Sequence, residues 1–340
     1  MIHKDNDITE SNKHFMDIIK KNWVMLPNFW DYPIFQTEDY EWMRMDTIRN
    51  NAYREAIKRS VKDKVVVEIG TGPDLILALM CIESGAKYVY GFEMDQGAFE
   101  KAQRRIKEDG LSGKISLFLG TSYGMALPEP CDVCVSEIIG SIGSSEGAVA
   151  YMKDAKRVMK ENGILIPGRC ITKIAPVTLP DLLCNDPFIE SMIESYNAFL
   201  YRLKGYYFKS NRYLIPNFPL THFLGKEQVF EEIDFNGDLK LQNTHELRFS
   251  VLQEGTLDGF LLWINLYVTP QHIIDTLHQQ TNWSPLFLPS EKLDLKKNDL
   301  IDIICEISLS DNMINPNYII KGTVHREKTP LHSFVIKSLY

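Results

Sequence analysis

The sequence predicts an α/β fold in which a doubly wound, Rossmann-like parallel sheet is followed by an antiparallel β domain. In the stretch 64–95, a short apolar run, a glycine turn, a helix-length segment and a second apolar run follow one another. Segments with helical and strand periods then alternate as far as Pro167, which is typical of a parallel sheet. Beyond Pro167 the pattern changes to short alternating runs separated by turn signals, which indicates antiparallel strands.

The composition fits a globular protein with two domains. The chain has 340 residues, of which 44% are hydrophobic and 24% are charged. A net charge of −8 argues against nucleic acid as a partner and permits a cationic substrate. No apolar run approaches the roughly 20 residues that a membrane-spanning helix needs, and the polar N-terminus has no apolar signal core. We therefore expect a cytoplasmic protein with no membrane partner.

The six cysteines do not suggest a disulfide framework, because most of them lie inside apolar runs. Cys131 and Cys134 form a C-x-x-C motif within a predicted strand. Buried structural thiols are favoured there over a redox pair or a zinc site, and no metal is expected.

The region before the parallel sheet, residues 1–40, is predicted to be a helical and aromatic cap. Apolar residues at helical spacing predict a helix over 14–25, and an aromatic-rich segment follows as far as Tyr40. One further helix is predicted over 43–60. Its Arg49 is the first cation that could reach a ligand of the following sheet, although a solvated surface charge explains it equally well on this pattern.

The glycine turn of the first βαβ unit is the first indication of a ligand. Gly70 and Gly72 let the backbone turn tightly and approach a ligand that a Cβ would obstruct. Glu93 lies 21 residues beyond Gly72, where a carboxylate can accept both hydroxyls of a ribose. Asp74 stands where a dinucleotide motif would need its third glycine, and it would repel a phosphate. A nucleoside without phosphates, S-adenosylmethionine above all, is favoured; a core turn with no ligand is the alternative.

The segments after this unit complete a predicted first domain over 41–168. The predicted strands are 115–119, 131–135 and 163–167, and the predicted helices have apolar faces at Ala98, Phe99, Ala102 and Ile106 and at positions 148, 151, 152, 155, 158 and 159. In such a sheet, ligands lie across the carboxyl ends of the strands.

The second domain is predicted over 169–340. Residues 169–178 and 219–340 carry the alternating runs of an antiparallel barrel or sandwich. Between them, the segment 181–204 has apolar residues along one helical face. On this pattern alone, packing within the chain is favoured over packing on a partner chain.

Two carboxylates nine residues apart, Glu137 and Glu146, are the most informative pair in the sequence. Glu137 follows a predicted strand, and Glu146 precedes a predicted helix after a loop rich in glycine and serine. If the loop doubles back, both carboxylates face one space, where a guanidinium with its five donors would satisfy them. The alternative is that Glu137 caps a local group and Glu146 is only the acidic start of a helix.

The chain resembles the protein arginine N-methyltransferases over about residues 28–340. The resemblance is carried by MRMDTIRNNAYREAI before the sheet, VVVEIGTG and GFEMD as cofactor motifs, SEIIGSIGSSE as the double-glutamate loop, ILIPGRC, and TNWSPLFLP as the Thr-His-Trp loop. It implies a class I methyltransferase fold, a β-barrel substrate domain, and a helical dimerisation arm at about 179–216 that makes a homodimer. The loops look most like the symmetric-dimethylating branch, in a compact, bacterial-type form.

The resemblance also implies a role for individual positions. Arg49 would bind the carboxylate of S-adenosylmethionine, Glu93 its ribose, and Glu137 and Glu146 would hold the guanidinium of arginine as the catalytic pair. The positions implied for the cofactor are Arg49, Glu68, Gly70, Gly72, Glu93, Ser122, Tyr123 and Glu137. Of these, Ser122 and Tyr123 would flank the adenine. The positions implied for the substrate are Met43 near the transferred methyl group, Asn282, and Trp283 near the mouth of the pocket. The product of the cofactor would be S-adenosylhomocysteine.

Three positions depart from the family pattern. Asp74 replaces the third motif glycine, Asn282 replaces the histidine of the Thr-His-Trp loop, and Met43 stands where the symmetric branch has phenylalanine. The expected reaction is methyl transfer to a guanidino nitrogen of free arginine, peptidyl arginine or a natural-product intermediate. The alternatives are methyl transfer to a non-guanidino nitrogen or oxygen of a small metabolite and, in a different class, a catalytically silent scaffold.

Overall fold

The computed structural model describes residues 25–28, 37–184 and 212–340. The predicted helix over 14–25 lies almost wholly outside these ranges, as does most of the predicted arm. The helices are α1 (Thr37–Met45), α2 (Thr47–Ser60), α3 (Ile76–Glu83), α4 (Gln96–Glu108), α5 (Ala148–Ala155) and α6 (Asp181–Cys184). The first strands are β1 (Leu26–Pro27), β2 (Val65–Ile69), β3 (Tyr88–Glu93), β4 (Ile115–Leu119), β5 (Cys131–Ser136), β6 (Met159–Ile166), β7 (Arg169–Val177) and β8 (Tyr213–Leu214). They are followed by β9 (Gln228–Asp234), β10 (Asn243–Ser250), β11 (Gly255–Thr269), β12 (His272–Asp275), β13 (Leu286–Leu295), β14 (Leu300–Leu309), β15 (Pro316–Arg326) and β16 (Thr329–Ser338).

A five-stranded parallel sheet forms the first layer, in the order β4-β3-β2-β5-β6. All five residues of its central strand β2 are buried, as expected for a strand that is covered on both faces. Of the predicted apolar face of α4, Ala98, Ala102 and Ile106 are buried, and Phe99 is half-buried. The alternation of strands and helices, and with it the predicted parallel part of the fold, is confirmed.

The helix predicted over 43–60 is wrong in one respect, because the chain forms two helices that meet at Asp46. Asp46 has extended backbone angles of φ −71° and ψ 93°, and its carboxylate accepts a hydrogen bond from the backbone nitrogen of Arg49. This is the geometry of an N-cap, in which a side chain satisfies an amide that a new helix leaves unpaired. The apolar period continues through Asp46, so the break was not visible as a change of pattern.

The helix predicted from Ala148 to Met159 is also too long. Helix α5 ends at Ala155, residues 156–158 form one 3-10 turn, and Met159 already begins strand β6, where it pairs with Cys131. The pairing with β5 supplies backbone hydrogen bonds that compete with helix formation at this point. Tertiary pairing therefore overrides the helical period of the last turn.

Two antiparallel sheets make up the second layer. One has the order β1-β8-β13-β11-β7-β9, with β12 paired to β11, and the other has the order β10-β14-β15-β16. Their facing sides enclose an apolar core that includes Phe230, Phe260 and Tyr318. The predicted antiparallel strands are confirmed. Strand β8 falls inside the segment predicted as the arm and pairs through Leu214 with Leu26.

The two layers share a core at their junction. The largest apolar cluster contains Val66 of β2 and also Cys170 of β7, Ile264 of β11 and Trp283. The loop that follows β5 lies at this junction, which positions the site described below. In the described ranges, no helix has the length and apolar character to cross a bilayer.

Both thiols of the C-x-x-C motif are free and buried, in agreement with the structural role favoured for them. Burial raises the pKa of Cys131 to about 12 and the pKa of Cys134 further above its ordinary value. Neither thiol is therefore poised as a thiolate near neutral pH.

Candidate active site

A cavity of about 390 Å³ opens at the carboxyl ends of the parallel strands. The ends of β2, β3 and β5 contribute Glu68, Glu93 and Glu137 to its wall. The opposite wall comes from α1, from the loop before β13 and from the loop between β14 and β15. The cavity therefore lies between the two layers, at the edge of the sheet where the sequence predicted a ligand.

The glycine turn forms the floor of this cavity. Gly70 and Gly72 have φ angles of +78° and +63°, a region that glycine enters without strain. The amides of Gly70 and Thr71 both donate to the carbonyl of Phe92, at 2.9 and 3.1 Å, so the turn is tied to the end of β3. A Cβ at Gly72 would lie 3.4 Å from the ring of Tyr40, which shows how closely α1 covers the turn.

Glu93 sits at the tip of β3 and is held by the backbone. One carboxylate oxygen accepts from the amide of Gly72 at 2.7 Å, and the other accepts from the amide of Asp95 at 2.9 Å. Burial raises the pKa of Glu93, while these backbone hydrogen bonds oppose the rise. Each oxygen keeps a second lone pair, so the fixed carboxylate can still accept hydroxyl groups of a ligand.

Glu68 is a buried carboxyl with an unused acceptor. Its Oε2 atom has no hydrogen-bond partner in the described part of the chain, although the side chain lines the cavity. Burial raises the pKa of Glu68 well above its ordinary value, and the nearby charge of Glu93 raises it further. A buried polar atom without a partner costs free energy, and a cationic or donor group in the cavity would relieve that cost.

Arg49 lies inside the site and not on the surface, which decides between the two interpretations of this residue. It is only 4% exposed, and its Nε donates a hydrogen bond to Glu137 Oε2 at 2.9 Å. The Nη2 atom forms a salt bridge with the same oxygen at 2.7 Å. Its Nη1 donates to Asn50 Oδ1 at 2.8 Å. Burial raises the pKa of Glu137, and the guanidinium of Arg49 opposes this effect.

The first helix pair is joined to the second layer through Asp46. Its Oδ1 caps α2 by accepting from the Arg49 amide at 2.9 Å, and its Oδ2 accepts from the Asn282 amide at 2.7 Å. Asn282 lines the cavity, and its buried Oδ1 has no partner in the described ranges. Asp46 therefore aligns Arg49 and Asn282 on two sides of the same space.

Trp283 forms part of the cavity wall as a buried residue. Its side chain is 6% exposed, and its indole nitrogen donates to the carbonyl of Ile139 at 2.6 Å. This bond connects the loop before β13 to the loop after β5. Trp283 thus stabilises the loop that carries the two glutamates.

Glu137 and Glu146 line the same cavity, as the doubling back of their loop requires. The turn after Glu146 has Gly147 at φ +83°, and a Cβ there would lie 2.6 Å from Cγ2 of Ile314. The amide group of Asn315 donates to the carbonyl of Ser145 at 3.0 Å. The loop between β14 and β15 is therefore pressed against the turn that presents Glu146.

The structure does not bring every predicted residue to the cavity. Met43, Gly70, Gly72, Glu68, Glu93, Arg49, Glu137, Glu146, Asn282 and Trp283 line it. Ser122 and Tyr123 are outside the lining, and Tyr123 is 47% exposed. Tyr123 meets the edge of Tyr151, at 6.4 Å between ring centroids, and Tyr151 is the residue that reaches the wall beside Met94.

Some residues of the site were missed in the sequence. Asp46, Tyr151 and Asn315 make their contacts through the tertiary fold, and no local spacing links them to the glycine turn. Asp46 carries a weak signal for the start of a helix, because aspartate is a preferred N-cap residue that accepts from the amide three residues later. Nothing in the local sequence of Asn315 indicates that it meets Ser145.

The arrangement suits a ligand that carries an amino-acid group and a sugar. A zwitterion would find the guanidinium of Arg49 for its carboxylate and the unused oxygen of Glu68 for its ammonium group. The two hydroxyls of a ribose would find the fixed carboxylate of Glu93. The residues present therefore fit S-adenosylmethionine, which has these three groups.

The chain is similar in sequence to several arginine methyltransferases, although no family model matches it. Protein arginine N-methyltransferase 6 of Xenopus laevis is 25% identical over 324 residues, which cover 85% of this chain and 90% of the relative. Protein arginine N-methyltransferase 2 of Mus musculus is 24% identical over 295 residues, covering 80% of this chain and 64% of that protein. Probable protein arginine N-methyltransferase 6 of Arabidopsis thaliana is 33% identical over 148 residues, or 42% of this chain and 33% of that protein.

Two solved structures have the same fold. Protein arginine methyltransferase 10 of Arabidopsis thaliana superposes with a TM-score of 0.72 at 18% identity, covering 89% of this chain and 97% of that chain. The Trypanosoma brucei PRMT1 enzyme–prozyme heterotetrameric complex with AdoHcy gives a TM-score of 0.70 at 17% identity, covering 88% and 98% of the two chains. The predicted order of a Rossmann-like sheet and an antiparallel domain is thus also the order of these structures.

Proposed function

We propose that the chain is a member of the protein arginine N-methyltransferase family and that it transfers a methyl group from S-adenosylmethionine to a guanidino nitrogen of arginine. The observation that carries this proposal is that Glu137 and Glu146 line one cavity together with the glycine turn and Glu93. In this reaction the carboxylate pair would hold the guanidinium, and Glu93 would hold the ribose of the cofactor.

The cofactor would be held by residues of the first layer. Arg49 would bind its carboxylate, Glu68 its ammonium group and Glu93 its ribose hydroxyls, with Gly70 and Gly72 allowing the backbone to approach. When bound, S-adenosylmethionine supplies a methyl group on a positively charged sulfur. The buried acceptor of Glu68, and the hydrogen bond and salt bridge between Arg49 and Glu137, support this arrangement.

Glu137 and Glu146 would bind the guanidinium of the substrate. Glu137 already accepts one hydrogen bond from a guanidinium, that of Arg49, and forms a salt bridge with it, which supports its suitability as an acceptor for a second guanidinium. A guanidinium offers five donors in one plane, and two carboxylates can engage opposite edges of that plane. Fixed in this way, one nitrogen is left to face the methyl group.

The pocket would act mainly by positioning. A guanidinium with a pKa above about 12 is a weak nucleophile, because its lone pairs are delocalised. Holding the reacting nitrogen at about 3–3.5 Å from the methyl carbon contributes several kcal/mol to lowering the barrier. The carboxylates would also concentrate the positive charge on the other two nitrogens, so that the reacting nitrogen keeps more of its lone pair.

The proton balance does not require a histidine. Once the new N–C bond had formed and the S–C bond had broken, the methylated nitrogen would release one proton to a glutamate or to water. The resemblance to the family places Asn282 where the family pattern has histidine. Asp46 accepts hydrogen bonds from two backbone amides. Loss of the proton would follow methyl transfer, so a strong general base is not needed.

The test is mass spectrometry of the products formed by the purified chain with labelled cofactor. Free arginine, an arginine peptide and a panel of amines and alcohols without guanidino groups serve as acceptors, and Glu146→Gln is the control variant. The proposal requires label on a guanidino nitrogen that Glu146→Gln reduces by orders of magnitude. Label confined to the other acceptors, or no label at all, would refute it.

We further propose that the chain is a cytoplasmic homodimer formed through the predicted arm within 179–216, most of which lies outside the described residues. The heterotetrameric complex of the Trypanosoma brucei relative is an example of assembly in a protein of this fold. The five cysteines whose surroundings the structure describes are free and buried, which suits a reducing compartment. Light scattering of the intact chain and of a variant without residues 185–211 tests this proposal. A monomer mass for the intact chain would refute it.

A further inference from the structure

We propose that Glu231, on strand β9 of the second layer, is a positioning residue that fixes the loop between Glu137 and Glu146 and thereby sets the place of Glu146. The proposal rests on the function proposed above, because it concerns the same pair of glutamates. Glu231 does not line the cavity. It acts through Gly143 and Ser144, which come before Glu146 in the loop.

The carboxylate of Glu231 is bonded directly to this loop. Its Oε1 accepts from the backbone amide of Ser144 at 3.1 Å, and its Oε2 accepts from the Ser144 hydroxyl. The hydroxyl of Thr172, on β7, donates to Oε1 at 3.3 Å. One carboxylate therefore fixes both the main chain and the side chain of Ser144, two residues before Glu146.

Neighbouring strands extend the same attachment. The amide of Gly143 donates to the hydroxyl of Thr172 at 2.9 Å, and the hydroxyls of Ser144 and Tyr318 lie 2.8 Å apart. Because the single hydroxyl proton of Ser144 goes to Glu231, Tyr318 must be the donor in the second contact. Strands β7, β9 and β15 thus converge on two consecutive loop residues.

Gly143 makes this close approach possible. A Cβ at this position would lie 2.7 Å from Sγ of Cys170 and 3.3 Å from Oε1 of Glu231. The first distance is too short for real carbon and sulfur atoms, so a larger residue would push the loop off β7. The loop lies against the second layer because glycine occupies this position.

A carboxylate is an unusual choice for such a buried place. Glu231 is 7% exposed, and in the described ranges its hydrogen-bond partners are neutral groups. Burial raises the pKa of Glu231 to about 7, although the bonds from Ser144 and Thr172 oppose the rise. An apolar side chain would avoid this cost but would provide no directional bonds to the loop.

The titratable groups that face Glu231 do not neutralise it. The Cys170 thiol of β7 has a pKa raised well above its ordinary value, first by burial and then by Glu231 itself, so it stays neutral. The phenol of Tyr318 on β15 contacts the Ser144 hydroxyl, which separates it from Glu231. The guanidinium of Arg212 lies beyond it, 5.4 Å from the centroid of the Tyr318 ring. The charge of Glu231 therefore changes near neutral pH.

The ionised form is the one that holds the loop. As a carboxylate, Glu231 accepts from all three donors at once. As an acid, it gives up one acceptor position and brings a proton that competes with those donors. Turnover should therefore rise with pH through about 7, whereas cofactor affinity, which depends on the first layer, should not follow the charge of Glu231.

The experiment compares the wild-type protein with Glu231→Gln, Glu231→Leu and the control Glu232→Gln. Glu232 is the next residue, is exposed, and pairs with Arg169 at 2.6 Å. The readouts are kcat and KM for the guanidino acceptor from pH 6 to 9, the cofactor Kd by calorimetry, and hydrogen exchange of the amides of residues 143 and 144.

Glu231→Gln should lower kcat at pH 8 by about tenfold to a hundredfold and abolish the rise through pH 7, with the cofactor Kd unchanged within about twofold. Exchange at residues 143 and 144 should become at least about tenfold faster in Glu231→Gln and Glu231→Leu, and it should stay at the wild-type rate in Glu232→Gln.

Overlapping pH profiles of the wild type and Glu231→Gln, or unchanged exchange at these amides, would overturn the proposal. If the wild type methylates no guanidino acceptor, the proposed function fails, and the exchange rates alone decide whether Glu231 holds the loop. Should Glu231→Leu not fold, the isosteric Glu231→Gln still gives every readout.

Discussion

The substitution Glu231→Gln is expected to change stability and activity in opposite directions as the pH rises. The neutral amide has nearly the shape of a protonated carboxyl, so the two proteins should differ little in free energy of unfolding at pH 5. At pH 8 the wild type must keep a buried carboxylate ionised, and the variant need not. The wild type therefore loses stability that the variant retains.

The magnitude follows from the pKa of Glu231, about 7 in the folded protein against an ordinary value of 4.5. Because the folded-state pKa is the higher one, its contribution to stability is fully present below about pH 4.5 and is lost as the pH rises through 7. At about 1.4 kcal/mol per pH unit, the free energy of unfolding of Glu231→Gln relative to wild type should rise by about 2–3 kcal/mol between pH 5 and pH 8.

Urea unfolding at pH 5, 6, 7 and 8, followed by tryptophan fluorescence, measures this difference. Other buried carboxyls such as Glu68 and Glu137 titrate in both proteins, so their effects cancel in the comparison. Glu232→Gln is the matched control and should follow the wild type at every pH. If the difference between Glu231→Gln and wild type is the same at pH 5 and pH 8, the reasoning about a buried, charge-changing carboxyl is wrong.

Three further substitutions test the rest of the site. Glu146→Gln should retain cofactor affinity in calorimetry and lose turnover by orders of magnitude; near-normal turnover would contradict the carboxylate pair. Arg49→Met should raise the cofactor Kd about tenfold or more, because it removes the cation and leaves Glu137 unpaired, while Arg54→Met on the exposed side of α2 should not; equal effects would contradict the assignment. Gly143→Ala should slow turnover and lower the thermal midpoint because its Cβ meets Cys170, and an unchanged midpoint would show that the loop has room there.

The sequence by itself determined the elements whose signals are local. The glycine turn and the carboxylate of Glu93 are separated by one helix and one strand, so their meeting at the sheet edge follows from the βαβ unit alone. The strands of the second layer were readable because alternation of apolar residues records which face is buried. The sequence also allowed the prediction that Glu137 and Glu146 face one space, on the condition that the short, glycine-rich loop between them doubles back.

The tertiary structure decided where helices end and which distant groups meet. The end of α5 is set by pairing of Met159 with Cys131, which replaces the helical bonds of the last turn. The contact of Asp46 with Asn282 spans 236 residues, and that of Ser144 with Glu231 spans 87. Periodicity records the burial of a residue, but a hydrogen bond across two layers depends on how those layers dock, and no single element encodes that arrangement.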